Sequence, residues 1–390
     1  MFDFDEMIDR RGTHAMKWDM MEKLYGVSSE DGIAMWVADM DFRPPPAVTE
    51  ALADAVSHGI YGYFGDDRAH RAAITGWMER RHGWRVDPDA IATTHGLVAG
   101  TALTIQAFTA PGDGVILFTP VYHAFARLIR ANGRRLVESP LIRTDGRYRM
   151  DLEALAASLT GSERMVILCS PHNPGGRVWT GDELRAVADF CAGHDLVLVS
   201  DEIHHDLVMP GQRHVPMPLA APGIAHRLVM LTASTKTFNI AGGLTGNVII
   251  PDPDLRARFA ATHLASGTSP NRFGVLMATA AYASGDAWVD ALCVYLAENA
   301  RVFDEGVAAI PGLRSMPLEA TYLAWLDFAG TGMAPGEGAA RVERDARLCA
   351  SHGATFGSGG ESFMRFNIAT PRARIREAVD RLQAAFADLQ

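Results

Sequence analysis

The chain has 390 residues, 48% of them apolar, enough to bury a large core and to form two or three structural units. Its 36 basic and 46 acidic side chains leave a formal charge of −10, which argues against nucleic acid or an anionic membrane surface as partner. The four cysteines, Cys169, Cys191, Cys293 and Cys349, form no CxxC pair and read as reduced thiols of a cytoplasmic protein.

The N-terminal stretch MFDFDEMIDRRG is acidic and lacks an apolar run, so it does not read as a secretory signal. Residues 1–45 stand apart from the rest of the chain and end at Pro44-Pro45-Pro46. The middle of the chain then alternates short apolar runs with helical patterns. The runs are AIATTHG (90–96), GVILFTP (114–120), RMVILCSP (164–171), DLVLVSDE (195–202), RLVMLTAST (227–235) and NVIIP (247–251). Rich in Val, Ile and Leu, they have the composition of strands buried on both faces. Between them, residues 125–132 close on Gly133, and residues 181–192 open with an acidic turn. The longest apolar stretch, 97–110, is too short to cross a bilayer. Such alternation predicts an α/β unit with a mostly parallel sheet and helices on both faces.

Past Ser284 the pattern changes. It predicts a helix over 287–309 ending at Pro311-Gly312, a strand over 321–328 and a Gly/Pro loop over 330–338. A helix over 339–352, a strand over 363–368 and an amphipathic helix over 372–387 complete the chain. We expect a large domain over 46–285 and a smaller α+β domain from 1–45 and 286–390.

In an open α/β sheet, ligands bind outside the carboxyl ends of the strands. Here the strands run into Thr94-His95-Gly96, Thr119-Pro120-Val121-Tyr122, Ser170-Pro171-His172-Asn173-Pro174, Asp201-Glu202 and Ser234-Thr235-Lys236. Five polar clusters on one rim say more than any one motif. Taken alone, Lys236 reads as a lysine snorkelling from a strand end. A desolvated lysine there is also a natural Schiff-base former. Asp201 reads either as a helix cap or as a buried anion that would pair with a protonated pyridine nitrogen. Tyr122 either caps the core or stacks on a planar cofactor. Gly96, Leu97 and Val98 open an apolar helix whose free N–H groups suit a phosphate. The run DEIHHD (201–206) is not HExxH and straddles a strand end, so no metal site is expected.

The combination SPHNPGG, SDEIHHDLV and STKTFNIAG resembles the pyridoxal-phosphate enzymes of fold type I, in the class I/II aminotransferase superfamily. HAMKWD (14–19), MWVADMDF (35–42) and TYLAWLDF (321–328) are similar to its cystathionine β-lyase branch of MalY and PatB type. The resemblance runs from about residue 3 to 388. It implies a large domain built on a mostly parallel seven-stranded sheet, a smaller α+β domain, and pyridoxal 5′-phosphate as cofactor. Lys236 would hold the cofactor as an imine and move the proton at the substrate Cα. Asp201 would pair with the ring nitrogen, Asn173 with the ring hydroxyl, and Tyr122 would stack on the ring. Gly96, Leu97 and Val98 would bind the phosphate. Tyr61 would reach the phosphate of a neighbouring subunit, so a homodimer with the site at its interface is expected. Arg365 would clamp the substrate α-carboxylate, a role suited to a planar guanidinium. Trp36, Ala38 and Asn173 would line the substrate side.

Three positions depart from the pattern. Ala233 stands where many relatives have a serine, so Ser234 or Thr235 would replace it at the phosphate. Leu244 stands where aminotransferases have a basic residue, which favours lyase over amino transfer. His204 replaces a tyrosine near the ring hydroxyl and is expected to serve as an outer hydrogen-bonding partner. The expected reaction is β-elimination from L-cystathionine or a similar cysteine S-conjugate to thiol, pyruvate and ammonia. Amino transfer by the same residues, or a non-catalytic regulatory binding role, are the alternatives.

Overall fold

The computed structural model describes residues 2–334 and 336–389. Seven strands form the central sheet, in the spatial order Ile91–Thr94, Gly246–Ile249, Leu228–Thr232, Val197–Asp201, Glu163–Cys169, Gly114–Thr119 and Arg135–Pro140. All neighbours run parallel except Gly246–Ile249, which is antiparallel to both its partners. The fold class is the α/β one expected.

The apolar runs form these strands because helices cover both faces of the sheet. Every residue of Gly114–Thr119 and Leu228–Thr232 is buried. Each buried Val, Ile or Leu contributes about 1.5–3 kcal/mol of transfer free energy. Residues facing one side join a core with the helix Leu97–Phe108, and those facing the other join a core with Trp77, Trp288 and Phe303. Local signals set the helix starts. Thr180 and Glu183 form a reciprocal capping box ahead of Gly181–Gly193.

Arg135–Pro140 is the strand that no apolar run announces. It lies at the sheet edge and buries only Ser139, so its residues carry no two-sided apolar signature.

A second sheet, in the order Arg314–Ser315, Leu323–Asp327, Phe363–Asn367 and Ser351–His352, lies in the C-terminal part. The long helix preceding it spans Asp286–Ala308, and the final one spans Arg372–Ala385. The helix expected over 339–352 is shorter, Glu337–Arg344, and begins inside the expected loop. Its second half is corrected to two short strands, Leu348–Cys349 and Ser351–His352. Arg347 takes φ 57°, and Leu348, Cys349 and Ala350 are all buried in succession, a pattern no one-sided helix can satisfy. Leu348–Cys349 pairs in parallel with Ile33–Ala34, which stitches the N-terminal segment to the C-terminal one. No helix among the described residues is long and apolar enough to cross a membrane.

Candidate active site

The strand ends converge on a cavity of about 380 Å³, within the usual size range of small-molecule sites. Lys236 lies on the short helix Ser234–Thr237, immediately beyond the strand Leu228–Thr232 and Ala233. Its Nζ donates to the carbonyl of Ala38 at 2.7 Å. Burial pushes its pKa down to about 8; Arg365 acts in the same direction, and Asp39 and Asp201 oppose it. Neutral amine is therefore accessible near neutral pH.

Asp201 ends the strand Val197–Asp201 and is buried. It accepts one hydrogen bond, from the Ile203 N–H at 3.1 Å. No ion pair reaches it among the described residues. Burial pushes its pKa up to about 7, with Glu202 adding to the effect and the Ile203 N–H and Lys236 opposing it. This is a buried acid that lacks a cation.

Arg365, on the strand Phe363–Asn367, is the opposite case. Its guanidinium donates to Asn173 Oδ1 at 3.0 Å, the Trp36 carbonyl at 2.8 Å and Ser351 Oγ at 3.3 Å. It lies 4.9 Å over the Phe356 ring, and its Nε has no partner. Burial pushes its pKa down to about 10, a buried cation whose named partners are all neutral. A ligand that carries a protonated ring nitrogen and a carboxylate would complement both residues.

The helix Leu97–Phe108 points its N-terminus at the same cavity. Gly96 caps it at φ 78°, a conformation that favours glycine. The N–H groups of Leu97 and Val98 precede the first helical bond, which Gly100 donates to Gly96. They are free for an anion, whereas the Gly96 N–H already binds Thr94 O at 2.9 Å. A side chain on Gly246 would lie 2.8 Å from the Leu97 nitrogen, so glycine there keeps this end open.

Tyr122, at the N-cap of His123–Ala131, and His204 also line the cavity, as do Trp36, Ala38, Asn173 and Thr235. Burial pushes His204 down to about 3, so its ring is neutral, and its Nδ1 has no partner. Two expected residues are not brought to the cavity wall. Ser234 is buried beside the Tyr282 hydroxyl. Tyr61 lies on an exposed segment, its ring 5.6 Å from that of Phe273.

Sequence reading missed Thr245, which reaches the cavity because its strand runs backwards, and His123, one residue past Tyr122. It also missed what the N-terminal motif does. Residues 36–42 form a strap whose carbonyls are held from several sides. Asn367 Nδ2 binds the Val37 and Asp39 carbonyls, each at 2.6 Å. Tyr322 OH joins Lys236 on the Ala38 carbonyl, at 2.9 Å. Asn239 Nδ2 binds those of Met40 at 3.0 Å and Phe42 at 2.7 Å. Beneath the strap, Asp41 receives Lys17 Nζ at 2.9 Å and Trp18 Nε1 at 3.1 Å. HAMKWD and MWVADMDF are thus two halves of one clasp.

The aminotransferase class I and II family profile matches residues 30–382. The chain is 39% identical to the cystathionine beta-lyase PatB of Bacillus subtilis, covering 98% of this chain and 99% of that one. It is 33% identical to protein MalY of Escherichia coli, over 97% of each. Among solved structures it resembles cystalysin from Treponema denticola, which contains a pyridoxal 5′-phosphate cofactor, with TM-score 0.95 and 35% identity over the full length of both chains. The expected fold type I architecture is therefore the one present. With the profile match and full-length relatives in agreement, the chain belongs to the aminotransferase class I and II family, in the branch that contains PatB and MalY.

Proposed function

We propose that this protein is a pyridoxal-phosphate-dependent carbon–sulfur β-lyase acting on cysteine S-conjugates such as L-cystathionine. The observation that carries this reading is the convergence of Lys236, an Asp201 lacking a cation and an Arg365 lacking an anion on one cavity. Leu244, half-exposed beside Gly96, and the β-lyase relative PatB favour elimination over amino transfer.

Pyridoxal phosphate, when bound, supplies an electron sink for the pair released at the substrate Cα. Lys236 would hold the cofactor, and its amine would take the substrate Cα proton as general base. Asp201 would keep the ring nitrogen protonated, Asn173 would hydrogen-bond the ring hydroxyl, Tyr122 would cover the ring and His204 would serve as a neutral partner nearby. Leu97 and Val98 would bind the phosphate through their N–H groups, with Gly96 shaping the turn and Thr235 lining the same cavity. Arg365 fixes the α-carboxylate against Trp36 and Ala38. The Cβ–S bond then breaks, sulfur departs with the bonding pair and is protonated to a thiol, and hydrolysis of the remainder gives pyruvate and ammonia.

The division into 46–285 and the two chain ends is part of this reading, supported by the central sheet lying within Ile91–Ile249 and the second sheet within Arg314–Asn367. So is a homodimer, supported by Tyr61 lying exposed and away from its own cavity. A cytoplasmic setting accords with four free cysteines. Incubation of purified protein with L-cystathionine and no keto acid tests the reaction. Pyruvate and thiol in equal amounts are expected. Turnover that strictly requires an added 2-oxo acid would mean amino transfer instead.

A further inference from the structure

Thr237 follows Lys236 directly, and its hydroxyl donates to Asp206 Oδ2 at 2.7 Å. The Asp206 side chain has no solvent exposure. Two further donors converge on it, with His205 close by. Trp77 Nε1 and His82 Nε2 reach Oδ1 at 3.0 and 2.7 Å, and His205 Nε2 lies 3.3 Å from Oδ2. Trp77 and His82 both belong to the helix Arg68–His82, whose N-terminus comes just after the segment carrying Tyr61. One carboxylate thus joins three elements: the segment after Asp201, the helix of Lys236, and the helix beyond Tyr61.

The donor atoms of His82, His205 and Asp206 lie within 4.8 Å of one another, close enough to suggest a metal site. In the structure the Asp206 oxygens and His82 Nε2 are engaged in hydrogen bonds. Trp77, His82 and Thr237 each donate a hydrogen bond to the Asp206 carboxylate. Burial alone would raise the Asp206 pKa, yet His205 and His82 outweigh it and hold the carboxyl well below its usual range. The site is therefore an ionised acid wrapped in hydrogen bonds.

The helix Ser234–Thr237 is a single turn of four residues, too short to hold itself in place. Its position depends on tertiary bonds, and a displacement of about 1 Å at a reacting group costs about 100-fold in rate. We propose that Asp206 is a positioning residue for the reaction, fixing through Thr237 the helix that carries Lys236 against the segment that carries Asp201. The proposal rests on Lys236 being the lysine that holds the cofactor.

The test compares Thr237→Val, which keeps the shape but removes the donor, with Thr237→Ser, which keeps the donor, and with Asp206→Asn. For each holoenzyme, four quantities are measured: the pKa of the absorbance band of pyridoxal phosphate on Lys236, cofactor affinity, kcat and KM on a cysteine S-conjugate, and the thermal midpoint. Thr237→Val is expected to lower kcat about 10- to 100-fold with KM within about threefold, and to shift the band pKa. Thr237→Ser should restore both, and Asp206→Asn should move both in the direction of Thr237→Val. A Thr237→Val enzyme with unchanged kcat and band pKa overturns the proposal, whatever its thermal midpoint. So does one equivalent of transition metal that survives dialysis of the unsubstituted holoenzyme and is lost in His205→Ala. Absence of any cofactor band in the unsubstituted protein would instead sink the proposed function, a distinguishable result.

Discussion

Arg365 donates to Asn173 Oδ1 at 3.0 Å across 192 positions of sequence. The pair links the cation on the substrate side to the residue expected at the cofactor ring, so a substrate carboxylate bound by Arg365 is set at a fixed place relative to the ring.

Arg365→Lys should therefore lower kcat/KM by about 100-fold or more, mainly through KM, because an ammonium cannot make the two-pronged contact. Cofactor affinity should stay near that of the unsubstituted protein. Steady-state kinetics and a cofactor titration check this, and an unchanged KM would count against Arg365 as the carboxylate clamp.

Asp201 yields a prediction about pH. In the folded, cofactor-free protein its proton is retained to about pH 7, whereas the ordinary aspartate value is 3.8. Between those values the folded chain binds more protons than the unfolded one, so this residue's contribution to stability falls as pH rises. The full effect is roughly 4 kcal/mol. Cofactor-free Asp201→Asn should lose less thermal midpoint between about pH 5 and 7.5 than the unsubstituted protein. Equal losses would show that the carboxyl is ionised throughout.

The clasp under the strap should tolerate loss of its cation better than loss of its anion. Lys17 has no solvent exposure and bonds to Asp41, whose carboxyl is held at about 2: burial opposes ionisation, but Lys17, Trp18 and Arg10 outweigh it. Asp41→Asn removes the nearest carboxylate from the buried Lys17 ammonium, leaving it the Asp39 carbonyl at 3.1 Å and the Asp39 carboxylate at 3.9 Å, and costs about 3–5 kcal/mol. In Lys17→Met, Asp41 keeps Arg10 at 2.8 Å and Trp18 at 3.1 Å, so the cost should be smaller. Chemical denaturation of the two variants decides the order.

Mixing Lys236→Ala protein with Tyr61→Ala protein tests the shared site. If Tyr61 serves the neighbouring subunit, each mixed dimer holds one intact site, and about a quarter of wild-type activity returns after subunit exchange. If Tyr61 serves its own site, mixing adds nothing.

Much of this was legible in the sequence because strands buried on both faces leave unbroken apolar runs, and the residues just past their ends form the rim. Lys236, Asp201, Asn173 and Tyr122 could be found that way. Arg135–Pro140 could not, since an edge strand that buries one residue carries no such run. Nor could Thr245, because nothing local reveals that its strand is reversed. The strap was visible only as unexplained motifs, since what it contributes to the site is backbone oxygen. The Asp206 hub was hidden as well, because His82 lies 124 residues from the acid it touches.

The strap also has a consequence for the order of assembly. Its carbonyl partners include Lys236, Tyr322, Arg365 and Asn367, at separations of 198, 284, 329 and 330 residues. During synthesis, residues 36–42 leave the ribosome early; Arg10, Lys17 and Trp18 can bind them at once, but the partners that close the site come much later, the last of them near the end of the chain. Contacts this distant are slow to form, and the Trp36, Val37 and Ala38 carbonyls must wait for them. The active site is therefore closed by one of the first pieces of chain to be made, and a nascent chain stalled before Asn367 should bind cofactor poorly even with Lys236 and Asp201 already folded into the sheet.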